Sequence, residues 1–191
     1  YRKDSPFPEE MNRQLTSVLA DLHFAPTRRA ALNLIQEHKP EEAIFITGNT
    51  AIDALQTTVR KDYSHPILER LGDSRLVLMT AHRRENWGEP MERIFKAVRR
   101  LVDDVTDIQV VYPVHLNPRV QETARSILGG HERIHLIDPL DVLDFHNFAA
   151  RAYLILTDSG GIQEEAPSLG VPVLVLRDTT ERPEGVEAGT L

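Results

Sequence analysis

Short apolar runs alternate with amphipathic stretches along the chain from about residue 75 to residue 176. The apolar runs predict strands at 75–81, 108–114, 133–137, 152–157 and 172–176. The stretches between them predict helices at 89–102, 118–128, 142–150 and 162–169. Strands that alternate with helices predict an α/β fold with a parallel, doubly wound sheet and right-handed crossovers. Ligands of such sheets bind beyond the carboxyl ends of the strands.

The first 72 residues have a different pattern. Helical periodicity covers 9–20, 27–37, 50–59 and 66–71, and only 22–25 and 43–47 are typical of strands. Two isolated strands do not complete a sheet domain, so we interpret 1–72 as the end of one domain with a connector. Residues 73–191 are then a second domain, incomplete at its C-terminus. The start without Met and the end without a closing element indicate a piece of a longer protein.

Composition excludes several classes of function. A net charge of −7 and a pI near 5.6 argue against nucleic-acid or membrane-surface partners, although a local arginine cluster could still hold an anion. The absence of cysteine excludes disulfides, thiolate metal sites and cysteine nucleophiles. No apolar stretch approaches the roughly 20 residues of a membrane span, and the N-terminus has no signal-peptide core. We therefore expect a cytoplasmic protein.

A Ser-Gly-Gly sequence follows the predicted strand at 152–157 and precedes a helix. Ser159 stands where an N-cap would, and Gly160 and Gly161 leave the backbone N–H groups open to a ligand. A helix N-terminus carries roughly +0.5 of a charge, which suits a phosphate or carboxylate. Glu165 lies about 9 Å further along the axis, where it could accept hydrogen bonds from ribose hydroxyls. The alternative is an ordinary capped helix with acidic residues in its first turn.

Basic residues follow other strands at the same edge of the predicted sheet. His82 and Arg83 come directly after the first strand of the alternating region, and His115 ends the second. Arginines bind phosphate bidentately, and an imidazole can transfer a proton. Arg182 is favoured over Arg177 as a further contact, because Arg177 is still close to its strand. A solvated loop and a structural histidine are the alternatives.

Three other motif readings are disfavoured. His131 and His135 fit the zinc-protease pattern HExxH, but they run into a predicted strand, where they would be about 13 Å apart. No metal is therefore expected. GxGxxG and GxxxxGK[ST] are absent, which argues against an NAD-dependent epimerase and a P-loop kinase.

Several motifs together closely resemble the non-hydrolysing UDP-N-acetylglucosamine 2-epimerases of bacteria, over essentially the whole chain. They are Pro-Phe-Pro-Glu-Glu-Met-Asn-Arg at 6–13, Thr-Gly-Asn-Thr at 47–50, His-Arg-Arg-Glu-Asn at 82–86, Pro-Val-His-Leu-Asn-Pro at 113–118, and the segments 158–170 and 177–189. The resemblance implies two Rossmann-like domains in a glycosyltransferase-B-like arrangement, with the first domain mostly missing here. It also implies a homodimer, no cofactor, and interconversion of UDP-N-acetylglucosamine and UDP-N-acetylmannosamine through elimination of UDP to 2-acetamidoglucal and its re-addition. The product would feed surface polysaccharide synthesis.

The resemblance assigns roles to individual residues. His82 and Glu9 would be catalytic, His82 at the leaving diphosphate. The residues that would bind UDP are Phe145 at the uracil, Ser159, Gly160 and Gly161 at the phosphates, Glu165 at the ribose, and Arg182. Arg83 and His115 match positions that bind a second UDP-N-acetylglucosamine as an allosteric activator. Leu140 departs from relatives with Gln there, which removes a possible uracil contact.

Three other functions stay open on the sequence. A hydrolysing relative would release UDP and free N-acetylmannosamine, whereas a glycosyltransferase of the same architecture would require an acceptor. The chain could also be only a UDP-binding or dimer-forming module, because the remaining catalytic carboxylates of the family are absent from it.

Overall fold

Two short parallel strands and two helices make up most of the unit that ends at Thr50. The computed structural model describes residues 7–191 and divides the chain after Thr50, with Ala51–Leu191 as the second unit. In the first unit, α1 (Glu9–Leu19), β1 (His23–Ala25), α2 (Arg28–Gln36) and β2 (Ile44–Ile46) follow in order, with a short 3-10 helix at Glu41–Ala43. The Thr27 hydroxyl caps α2, and Arg13 of α1 pairs with Glu37 at 2.7 Å. Pro6, which opens the motif at 6–13, lies outside the described residues.

The second unit contains a five-stranded parallel sheet in the order β5-β4-β3-β6-β7. Its strands are β3 (Arg75–Thr80), β4 (Ile108–Pro113), β5 (Ile134–Ile137), β6 (Leu154–Thr157) and β7 (Val173–Val175). Its helices are α3 (Thr50–Thr58), α4 (Pro66–Leu71), α5 (Glu89–Asp104), α6 (Pro118–Leu128), α7 (Val142–Ala149), α8 (Ile162–Ser168) and α9 (Pro183–Glu187), with a 3-10 helix at Arg84–Asn86. The predicted alternation and the doubly wound α/β fold are confirmed.

Both faces of this sheet are covered by helices. Successive residues of β3 point to opposite faces, so Val77 and Met79 join a core with α5 and α6, whereas Leu76 and Leu78 join a core with α4, α7 and α8. Burial on both faces explains why the strands are continuous apolar runs rather than alternating ones. Among residues 7–191, no helix combines the length and the apolar character needed to cross a membrane.

The chain divides into two compact units after Thr50, whereas the sequence predicts a domain boundary near residue 72. The segment between Thr50 and residue 72 packs on α7 through polar contacts: Thr58 Oγ1 lies 2.8 Å from Nδ1 of His146, and the Tyr63 hydroxyl donates to Asp144 at 2.5 Å. Arg151 also donates to the backbone carbonyls of Arg60 and Tyr63. These contacts join residues more than 80 positions apart, so local composition could not reveal them.

All five strands are parallel, but the direction in which the chain adds successive strands reverses between β3 and β6. After β3 the chain continues to β4 and β5 on one side, and after β6 it continues to β7 on the other. The connections that follow β3 and β6 therefore leave the same point in opposite directions. In doubly wound sheets this switch point opens the crevice in which ligands bind.

Candidate functional site

Asp158 joins the two loops at the switch point. It follows β6 directly, and its side chain is 0% exposed. Its Oδ2 atom accepts hydrogen bonds from the backbone N–H groups of His82 (2.9 Å) and Arg83 (2.8 Å) and from Nδ2 of Asn86 (3.0 Å). Asn86 also donates to the carbonyl of Leu176 beyond β7. The loop after β3 is therefore fixed to the ends of β6 and β7.

His82 lies between this buried carboxylate and a second imidazole. Its Nδ1 atom is 3.3 Å from Oδ1 of Asp158, and its ring stacks on His115 with 5.6 Å between centroids. Trp87 donates from Nε1 to the His82 carbonyl. Burial lowers the pKa of His82; the Asp158 carboxylate opposes this effect, and the neighbouring His115 and Arg83 add to it. The ring still exposes 38% of its side-chain surface, so a ligand can reach it.

The Ser-Gly-Gly turn has a different geometry from the predicted cap. The helix α8 begins at Ile162 after Gly161, whose carbonyl accepts from the N–H groups of Glu164 and Glu165. The Ser159 N–H donates to Oγ1 of Thr157 at 2.9 Å, and this hydroxyl also lies 2.6 Å from that of Thr80. The prediction that Ser159 is the N-cap is therefore wrong, because Gly161 takes that position two residues further along the chain.

Two guanidinium groups flank the turn. A Cβ atom placed on Gly160 would lie 3.7 Å from Nη2 of Arg83 and 4.0 Å from Nη2 of Arg182. Arg182 also forms an ion pair with Glu164. A residue without a side chain between two arginines leaves room for an anion to approach the backbone.

Arg177 is held inside the structure. Its side chain is 3% exposed, and it donates to Glu85 at 2.6 Å and to Glu181 at 2.7 Å. It therefore serves to join the loops after β3 and β7.

A second carboxylate–histidine pair lies beside the turn. Oε2 of Glu165 is 3.7 Å from Nε2 of His146, whose Nδ1 contacts Thr58. Burial raises the pKa of Glu165, the neighbouring His146 lowers it, and Glu164 raises it. A Cβ atom on Gly161 would lie 3.6 Å from Oε1 of Glu165, which places this carboxylate next to the glycines. Phe145 is half-buried next to His146 on α7, with 6.5 Å between the ring centroids.

The predicted site residues divide between the two units. His82, Arg83, His115, Ser159, Gly160, Gly161, Glu165, Phe145 and Arg182 all belong to the second unit. Glu9 is exposed in the first turn of α1 in the first unit. Arg83 and His115, predicted for a second ligand site, both lie next to His82 or the glycine turn.

The HExxH segment is not helical, because a turn at 132–133 separates His131 from β5. His131 contacts Asp103 at 3.0 Å, whereas His135 lies in β5 and contacts Gln109 at 2.6 Å. Within residues 7–191, no group of three potential His, Asp or Glu ligands is placed to hold a metal ion.

Sequence reasoning assigned no role to Asp158, Asn86, Thr157 or His146. Asp158 and Thr157 could have been found from their place, because polar residues at the end of a buried parallel strand lie at the ligand edge. Asn86 and His146 carry no such signal, since their partners are distant in sequence.

The comparisons with known proteins agree with one another. The profile of the UDP-N-acetylglucosamine 2-epimerase family matches residues 1–191. A Bacillus subtilis UDP-N-acetylglucosamine 2-epimerase is 68% identical over 189 residues, which are 99% of this chain and 50% of the relative. The S. aureus MnaA structure with UDP is 65% identical with a TM-score of 0.94, and it covers 100% of this chain and 51% of that one.

A third similar protein is the UDP-GlcNAc 2-epimerase from Neisseria meningitidis, solved with UDP-GlcNAc. It is 46% identical with a TM-score of 0.90, over 99% of this chain and 53% of that one. The chain thus spans about half the length of the curated relatives and solved structures that it matches. With motifs, fold and comparisons in agreement, the chain belongs to the UDP-N-acetylglucosamine 2-epimerase family.

Proposed function

We propose that this chain supplies the UDP-binding half of an enzyme that interconverts UDP-N-acetylglucosamine and UDP-N-acetylmannosamine. The observation that carries the proposal is the flanking of Gly160 by Arg83 and Arg182, with His82 and Glu165 beside the same turn. Relatives solved with UDP and with UDP-GlcNAc support this choice of ligand. The protein acts in the cytoplasm as a homodimer, without a cofactor, and supplies surface polysaccharide synthesis.

The proposed pose places the diphosphate over Ser159, Gly160 and Gly161, between the two guanidinium groups. The ribose hydroxyls donate to Glu165, which is ionised to accept both, and the uracil lies by Phe145. Cations at the diphosphate stabilise the negative charge that develops as its bond to the sugar breaks. The pose therefore directs the sugar towards His82.

His82 assists departure of UDP in this mechanism. The arrival of a diphosphate opposes the lowering of the His82 pKa, because a nearby anion favours the imidazolium. The protonated ring then donates its proton to the leaving phosphate oxygen and takes it back in the reverse step. Elimination also needs removal of the proton at C2, and re-addition of UDP follows protonation there from the other face. Glu9 is proposed as one catalytic carboxylate of this chemistry, together with others outside this chain.

Arg83 and His115 are proposed to contact a second UDP-N-acetylglucosamine that activates the enzyme. Because His115 stacks on His82, a ligand that contacts His115 could change the position of the His82 imidazole. Linkage requires that the activator changes the affinity for substrate by the same factor as substrate changes the affinity for the activator.

The test uses the full-length protein with UDP-N-acetylglucosamine in heavy water. We expect both epimers to appear with deuterium at C2, detected by NMR and mass spectrometry, and a His82→Gln variant to be slower by about 10²- to 10⁴-fold. Free N-acetylmannosamine would favour the hydrolysing relative, and consumption only with an added acceptor would favour a glycosyltransferase. UDP binding without exchange at C2 would leave a binding module and contradict the proposal.

A further inference from the structure

Asp158 has one carboxylate oxygen that the loop structure does not require. Oδ2 accepts three hydrogen bonds and accounts for the attachment of the 82–86 loop. Oδ1 is buried and makes no hydrogen bond with any described residue. It lies 3.3 Å from Nδ1 of His82, so the carboxylate's second oxygen is next to an imidazole that remains open to ligand.

The other groups around His82 cannot replace this oxygen. His115 stacks nearly parallel to the ring, at 11° between planes, so it meets the face rather than Nδ1. Arg83 is a cation and offers no acceptor. A neutral imidazole carries its proton on one nitrogen, and a buried anion beside Nδ1 favours the proton there.

We propose that Asp158 is a positioning residue that keeps His82 in the Nδ1–H tautomer and so leaves Nε2 available to the departing diphosphate. The carboxylate also stabilises the ring once Nε2 has taken a proton. The role in turnover rests on the proposed function, whereas the tautomer is a property of the free protein. Asp158 thus aligns two parts of the site, because the same side chain holds the backbone before Arg83 and orients the imidazole.

Asp158→Asn tests this role with little change in shape. The amide oxygen must occupy the place of Oδ2, because two backbone N–H groups and Asn86 donate there. The amide NH₂ then faces Nδ1 of His82 and donates to it, which moves the ring proton to Nε2. The control is Asn86→Ala, which removes one donor to Oδ2 and keeps the carboxylate.

The measurement is the ¹⁵N NMR spectrum of histidine-labelled full-length protein at a pH above the His82 pKa, assigned with His82→Gln. We expect a protonated Nδ1 in the native protein and in Asn86→Ala, and a protonated Nε2 in Asp158→Asn. Turnover of Asp158→Asn should fall about 10²- to 10⁴-fold in kcat with a small change in KM. The spectrum of the native protein tests the proposal even if the variant does not fold, because a protonated Nε2 of His82 in the native protein would overturn it. An unchanged tautomer in folded Asp158→Asn would also overturn it. Loss of C2 exchange in the native protein would instead contradict only the proposed function.

Discussion

The site contains two carboxylate–histidine pairs with opposite burial. In the pair at the phosphate side, Asp158 is 0% exposed and His82 is 38% exposed; in the pair at the nucleoside side, His146 is 7% exposed and Glu165 is 19% exposed. The more exposed member can reach a ligand, and the buried member is bound to the protein frame, Asp158 to the 82–86 loop and His146 to Thr58. In the proposed pose the same two side-chain types therefore exchange roles: histidine meets the phosphates and carboxylate meets the ribose.

The two carboxylates differ in how far hydrogen-bond donors compensate the free-energy cost of their burial. Asp158 is compensated by three hydrogen-bond donors, so its burial is coupled to the loop that it holds. The Glu165 carboxylate is half-buried and lies 3.7 Å from His146, and burial raises its pKa. A group that is under-compensated in the free protein gains most when a ligand supplies donors.

The largest expected effect is on folding stability. Asp158→Ala should lower the free energy of unfolding by about 3–5 kcal/mol, because three donors lose their buried acceptor. Glu165→Gln should change it by less than about 1 kcal/mol, since the amide avoids the burial of a charge. Urea unfolding of the full-length variants measures both values. Equal losses would remove the distinction between the pairs.

The phosphate side should dominate affinity for UDP. Arg182→Ala is expected to weaken UDP binding roughly ten- to hundred-fold, because a charge-assisted contact contributes about 1.5–3 kcal/mol. Inorganic diphosphate should lose affinity in parallel. Arg100→Ala, an exposed arginine paired with Asp104 on α5, is the charge-matched control and should change neither affinity. Calorimetry measures the affinities for UDP and for inorganic diphosphate. An equal loss of affinity in Arg100→Ala would show a general effect of charge.

The nucleoside side should recognise hydroxyl groups. Glu165→Gln is expected to weaken binding of UDP about tenfold, or 1.4 kcal/mol, while binding of 2′,3′-dideoxy-UDP stays unchanged. His146→Gln should have a smaller effect of the same selectivity, because it acts by orienting Glu165. Losses of the same size for both nucleotides would place Glu165 away from the ribose.

The smallest effect is on the pH dependence of stability, where the two pairs have opposite signs. The pKa of His82 is lowered on folding, so the unfolded chain binds more protons and stability falls as pH drops below about 6.5. The pKa of Glu165 is raised on folding, so the folded chain binds more protons and stability falls as pH rises above about 4.5 until it passes the folded pKa. His82→Gln and Glu165→Gln should each remove one slope in urea unfolding measured from pH 4 to 8. If a slope persists in its variant, the pH dependence of stability belongs to another group, such as His135, whose pKa burial also lowers.

The fold could be predicted from sequence because its signals are local. The bounds of α4 and α6 agree with the predicted ones, since Pro at the start and the apolar spacing of each helix are features of neighbouring residues. The roles of Asp158 and His146 depend on contacts across 76 and 88 positions, which no local pattern contains. The predicted cap at Ser159 is wrong because the helix begins later, at Ile162, with Gly161 in the cap position.

The exchange of roles between the two pairs is tested most directly by titrating the full-length, ¹⁵N-histidine-labelled protein with UDP. We expect the His82 imidazole to take up a proton as UDP binds at a pH just above its free pKa, with matching proton uptake in calorimetry. The His146 resonances should change little, because the ring is 7% exposed and is held by Thr58. A response of the His146 resonances while those of His82 stay unchanged, or no response from either ring at saturating UDP, would contradict the account.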